Sequence, residues 1–156
     1  MSVYLLLKYL HVLGATVLIG TGAGIAFFML LASRSKDNRV IAGAARFVVI
    51  ADWVFTAPAV VLQLGTGLAL VKVMGVGYSS PWFIASMTLF IVIVVCWLPV
   101  VFIQYRLRTA ADAMVAGAGD RDFRRWMRRW TALGIPAFCA ILLLLWLMVT
   151  KPLAMV

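Results

Sequence analysis

Lys8 and His11 stand one turn apart near the start of the apolar stretch LLKYLHVLG, and His11 is the only histidine in the chain. At about 100° per residue Tyr4 joins them on one helical face, which Ala15 and Gly22 continue with almost no side chain. Ionisable groups inside a membrane segment are costly, so this ammonium and imidazole are predicted to aim into the fold rather than at lipid, and they are functional candidates on that ground. A second constellation is Asp52, Thr56, Gln63 and Thr66 (or Gly67), whose spacings of four, seven and three or four residues form one polar stripe on an otherwise apolar helix. Within it Asp52 is a candidate proton-relay group. Its structural alternatives are a hydrogen bond to another helix, a pairing with a loop arginine, or a neutral acid. Cys96 and Cys139 lack the close spacing of a zinc or redox pair and read as small hydrophobes. The eight methionines are scattered, which argues against a copper relay.

The elements that must position these groups follow from composition. A chain of 156 residues that is 65% hydrophobic and 12% charged has too little polar surface for a soluble globule. It is read as an integral membrane protein. Four apolar runs each approach or exceed the ~20 residues that cross a bilayer, and without water in the hydrocarbon core each must be helical. The expected fold is all-α: an antiparallel four-helix bundle forming a single transmembrane domain over 1–156, with helices at approximately 3–33, 40–72, 81–113 and 121–150. The first run is too long for a signal peptide and lacks a basic segment ahead of it, so it is expected to be retained.

The net charge of +9 is concentrated in two loops, Arg34 to Arg46 and Arg106 to Arg129, whereas the middle connection MGVGYSSP carries none. The positive-inside rule then places both basic loops in the cytoplasm and both termini outside, in the periplasm of a bacterial inner membrane. Anionic lipid headgroups at the cytoplasmic face are the expected partner, not nucleic acid.

Along the chain, Gly20, Gly22 and Gly24 with Ala23 and Ala26 form a small-residue surface suited to close helix approach or to clearance for a flat ligand. Asp37 or Asn38 is a plausible N-cap for the second helix and Asp120 for the fourth. Pro58 removes a backbone donor and crowds the Val54 carbonyl, predicting a kink near mid-membrane. Counting about 1.5 Å per residue brings Gln63 and Thr66 to the depth of Lys8 and His11, and Asp52 opposite the glycine patch. Ser86, Trp97 and Gln104 share a face of the third helix, where Pro99 is a further kink point. In RDFRRWMRRW the spacing sets Trp126 and Trp130 together at the headgroup boundary, with arginines on phosphates. Lys151 is placed to reach the opposite headgroups, and Pro152 to stop the last helix.

The segments LLKYLHVLGATVLIG, RFVVIADWVFTAPAVVLQLGTGLALV and RWTALGIPAFCAILLLLWLMVTKP together resemble a bacterial family of small integral membrane proteins, domain of unknown function 2269, over nearly the whole chain. More distantly, the Lys-x-x-His before a glycine-containing helix, the Pro and Thr-Gly of the second helix and the closing Lys-Pro resemble the four-helix bacterial protoporphyrinogen oxidase type. Membrane domains of related copper-resistance proteins share part of this pattern. That likeness implies haem b with His11 as axial ligand to the iron and Lys8 important beside it. The chain departs from the type in having no second histidine, which excludes bis-histidine ligation within one chain and puts inherited oxidase activity in doubt.

The chemistry of the residues agrees in part. An ammonium one turn away disfavours a second positive charge on the imidazole and leaves the neutral ring that ligation requires. Lys8 and Tyr4 are suited to haem propionates, with Gln63 and Thr66 at the same depth. One histidine permits five-coordinate iron, a weak sixth ligand, or a haem shared across a homo-oligomer or larger membrane complex. The leading reading is a haem b protein of electron transfer, porphyrin oxidation or haem handling, the second of which would make it a haem-dependent oxidoreductase. The alternative is a non-catalytic membrane subunit or scaffold without cofactor, and a weaker third is copper or small-solute passage past His11, Gln63 and Asp52.

Overall fold

In the computed structural model, which describes residues 2–151, the chain is helical throughout, with no strand among the described residues. The helices are α1 (Val3–Ala32), α2 (Asn38–Val73), α3 (Pro81–Val115) and α4 (Arg121–Thr150), each long and apolar enough to cross a membrane. Their lateral surfaces carry exposed Phe27, Phe47, Val61, Ile84, Val95 and Trp146, as a hydrocarbon solvent requires.

Short polar side chains start the helices. The Ser2 hydroxyl accepts from the Leu5 N–H at 3.3 Å, the Asp37 carboxylate from the Arg39 N–H at 2.8 Å, and the Ser80 hydroxyl from the Phe83 N–H at 3.3 Å. Asp120 stands at the N-cap position of α4 but does not cap it. Its carboxylate engages the Arg124 guanidinium, one turn along, because a full positive charge competes successfully with a backbone dipole. α4 ends at Lys151 in the left-handed conformation (φ 43°), and Lys151 lays its ammonium 5.9 Å from the Trp82 ring centre. The stop expected at Pro152 lies outside the described residues.

Pro58 leaves its mark one turn earlier than its own position. Asp52–Thr56 form a π-helical turn inside α2, in which the Ala57 N–H reaches back five residues to the Asp52 carbonyl. Proline cannot donate to the carbonyls behind it, so the wider turn absorbs the mismatch. One extra residue per turn also rotates everything downstream. The stripe expected from α-helical counting is therefore cut in two, with Asp52 and Thr56 facing one set of neighbours and Gln63 and Thr66 another.

Packing is uneven along the bundle. At the basic end Met29, Ile41, Ala45, Ile103, Leu107 and Met127 form part of a large buried core. There the Asn38 side-chain amide donates to the Met114 carbonyl at 3.0 Å and Arg46 pairs with Asp112 at 2.8 Å. At the other end only Val71, Trp82 and Leu147 form a small core, with the Trp82 indole donating to the Leu147 carbonyl at 3.0 Å. α1 packs chiefly on the Ala57–Val73 half of α2, and α3 on α4, with few contacts between α1 and α4. Trp130, expected at the headgroup boundary, is instead 6% exposed and part of the large core, while Trp126 keeps Arg129 against its ring, 4.9 Å from its centre. Four residues advance an α-helix by about 400°, so the second indole is rotated by about 40° from the first, onto the face that the core covers.

Candidate functional site

His11 is held from two sides by α2. Its Nδ1 lies 2.8 Å from the Thr66 hydroxyl oxygen, and its backbone carbonyl accepts from the Gln63 side-chain amide at 2.6 Å. The Thr66 hydroxyl has one proton and donates it to the Leu62 carbonyl at 2.6 Å. Towards His11 it can therefore only accept, which requires the ring to carry its proton on Nδ1. In the neutral ring Nε2 then holds the free lone pair, and it has no hydrogen-bond partner among the described residues. Buried hydrogen bonding at one ring nitrogen that fixes the tautomer and aims the other is how proteins prepare a histidine for a metal or a proton.

Two glycines make this contact line possible, and neither drew notice as such in the sequence. A Cβ added at Gly14 would stand 2.6 Å from Gln63 Nε2 and 3.1 Å from Leu62 Cδ2, so only glycine leaves Gln63 a path to the His11 carbonyl. Gly67 flanks the imidazole itself, where a Cβ would lie 3.4 Å from Cε1. The small residues expected to allow close helix approach behave differently: a Cβ at Gly20, Gly22 or Gly24 would meet nothing within 4 Å. Helix contact is tight at Gly14, whereas Gly22 and Gly24 border open volume. Gly14→Ala is accordingly expected to displace Gln63 and lower stability by about 1 kcal/mol, the worth of one interhelical hydrogen bond. The check is unfolding in mixed detergent, where Gln63→Ala should add almost nothing in the Gly14→Ala background.

Lys8 does not follow His11 inward. It is exposed, with its ammonium 5.8 Å from the centre of the half-buried Tyr4 ring. Three residues turn the helix by about 300°, so the pair is separated by about 60°, and the line facing α2 runs through His11 and Gly14 instead. The expectation that the ammonium points into the fold is corrected: Lys8 and Tyr4 form a surface pair one turn from the buried edge of the imidazole. Gln63 and Thr66 do reach the same level as His11, as depth counting required.

Asp52 belongs to a separate place. It is 4% exposed, with Thr56, Gln104 and Trp97 around its carboxyl group. It lines a cavity of about 290 Å³ together with Gly22 of α1, Gln104 of α3 and Trp130 of α4. Ser86, expected to share this face with Trp97 and Gln104, turns its hydroxyl back to the Trp82 carbonyl. No described residue pairs Asp52 with a loop arginine, whose only carboxylate partners here are Asp112 and Asp120. A wider groove of about 830 Å³ runs between α1 and α2 past Gly24, Phe28, Phe47 and Arg34. Neither volume reaches His11. Among the described residues no three His, Cys, Asp or Glu side chains come together as a metal cluster. Cys96 is half-buried and Cys139 exposed, both free.

A family model described as a predicted integral membrane protein, DUF2269, matches residues 5–152. No curated protein and no solved structure matches the chain.

Proposed function

Since the chain belongs to the DUF2269 family of predicted integral membrane proteins, we propose for this multi-pass protein that it ligates haem b through His11 Nε2, in electron transfer, porphyrin oxidation or haem handling. The observation that carries the reading is the free lone pair: the chain spends a buried threonine on fixing the tautomer that leaves Nε2 open. With one histidine the donor set offers one imidazole axial bond per chain. The two large cavities do not reach His11, so a haem on this ligand would lie against the α1–α2 pair. Bound there, haem b supplies a one-electron redox centre. Thr66 and Gln63 keep the ring and its backbone from moving, Gly67 leaves space beside the ring, and exposed Lys8 with half-buried Tyr4 are the groups suited to propionates. A bacterial inner membrane with the basic end towards anionic lipid of the cytoplasmic leaflet completes the proposal.

One observation favours a second reading. His11 to Thr66 and Gln63 to the His11 carbonyl both join α1 to α2, which is what a cofactor-free membrane scaffold would need of polar residues. Haem titration of the purified chain in lipid nanodiscs separates the two. A Soret band that saturates at one haem per chain, or at one per two chains if copies share it, is expected. A linear, unsaturating rise supports the scaffold.

A further inference from the structure

The chamber around Asp52 is left unused by the reading of His11 and stands independently of it. Four buried polar atoms in and around it, Asp52 Oδ2, Thr56 Oγ1, Trp97 Nε1 and Trp130 Nε1, have no hydrogen-bond partner. Asp52, Thr56 and Trp130 are each more than nine-tenths buried. Buried polar groups in native proteins are almost always satisfied, so beyond what Thr56 and Trp97 give the Asp52 carboxyl group beside them, the cluster keeps hydrogen-bonding capacity for a partner, the Trp130 indole above all. Both kinds of demand occur together: the two indoles can only donate, and the carboxylate oxygen accepts.

The rest of the chamber narrows the partner's chemistry. Its walls include Leu18, Ile25, Ile93, Phe138 and Ile141, which offer water nothing to bond. An apolar cavity of about 150 Å³ stays dry and accepts a benzene ring. At about 290 Å³ this one has room for a substituted ring. Towards the basic end it is floored by the large core, which shares Val100 and Trp130 with its lining, so an occupant has the bilayer as its source.

We propose that this chamber binds a hydroxylated aromatic ring, a phenol or quinol, taken up from the lipid phase. The ring occupies the apolar volume beside Gly22. Its hydroxyl oxygen accepts from an indole N–H of Trp97 or Trp130, and its hydroxyl hydrogen is donated to Asp52. One small group thereby answers a donor and an acceptor that the protein leaves open.

The test titrates 4-butylphenol and butylbenzene into the full chain in lipid nanodiscs, reading tryptophan fluorescence. Saturable binding of 4-butylphenol is expected, at least tenfold tighter than butylbenzene, with at least a tenfold loss in Asp52→Leu and a smaller loss in Asp52→Asn. Gly22→Leu, whose Cβ would meet nothing within 4 Å and whose side chain would enter the cavity volume, should abolish binding while leaving the haem titration unchanged. If Asp52→Leu does not fold, Thr56→Val and the two-ligand comparison on the unaltered protein decide. Equal affinity for the two ligands, no saturable component, or undiminished binding to Gly22→Leu overturns the proposal.

Discussion

His11→Ala, purified after haem-replete expression, is expected to lose the Soret band altogether while remaining folded. The loss is total because the chain holds no second histidine to take over the axial position. The fold survives because the substitution removes one of the two α1–α2 hydrogen bonds and leaves the other: Gln63 donates to the backbone carbonyl at position 11, which alanine retains. The structural cost is about 1 kcal/mol, read from the unfolding midpoint in mixed detergent. Absorbance that persists at its original stoichiometry in His11→Ala would assign the haem to other ligands. Lys8→Ala should weaken haem binding without abolishing it, as suits an exposed group that contributes charge and no bond to iron.

Thr66→Val is the second large effect, and it isolates the orienting role. Valine matches threonine in shape but neither accepts from Nδ1–H nor donates to the Leu62 carbonyl, so the imidazole is free to rotate and to exchange tautomers. Loss of a hydrogen bond behind a metal-bound histidine typically costs 10–100-fold in affinity, and a rise of that size in the haem dissociation constant is expected. The Soret band returns at saturating haem, since the ligand itself is intact. Thr66→Ser, which keeps the hydroxyl, should restore most of the affinity. A Thr66 that only locked helices together would leave haem affinity unchanged, and unfolding stability alone would fall.

What the sequence revealed and what it withheld divide along physical lines. Hydropathy over some twenty residues locates the spans, because the bilayer demands unbroken apolar helix whatever the partners. That Gln63 and Thr66 lie at the depth of His11 also follows from counting along two helices; that they touch it does not. Counting angle fared worse. The π turn at Asp52–Thr56 changes the rotation of α2, so a stripe drawn at α-helical period joined residues that serve two separate places. Lys8 was misassigned by the same coarseness, since residues three apart share a broad face but not a contact line. Glycines were misjudged for a different reason. Composition shows where small residues cluster, as at Gly20 to Gly24, but only packing shows that the close approach is at Gly14. Trp130 looked like an interfacial anchor beside its arginines and proved to be buried against the Asp52 chamber. In each case the missing quantity was rotation about a helix axis, which neighbours set and composition does not.

Haem ligation by His11 depends on the protonation pattern of one ring, and a single histidine makes that pattern directly measurable. Nitrogen-15 NMR of the chain labelled only at histidine, in lipid and without haem, reports on His11 alone. The expected result is a neutral ring with the proton on Nδ1 and a bare Nε2, the latter resonance shifting or vanishing when haem is added. A proton on Nε2, or an Nε2 signal indifferent to added haem, would contradict it.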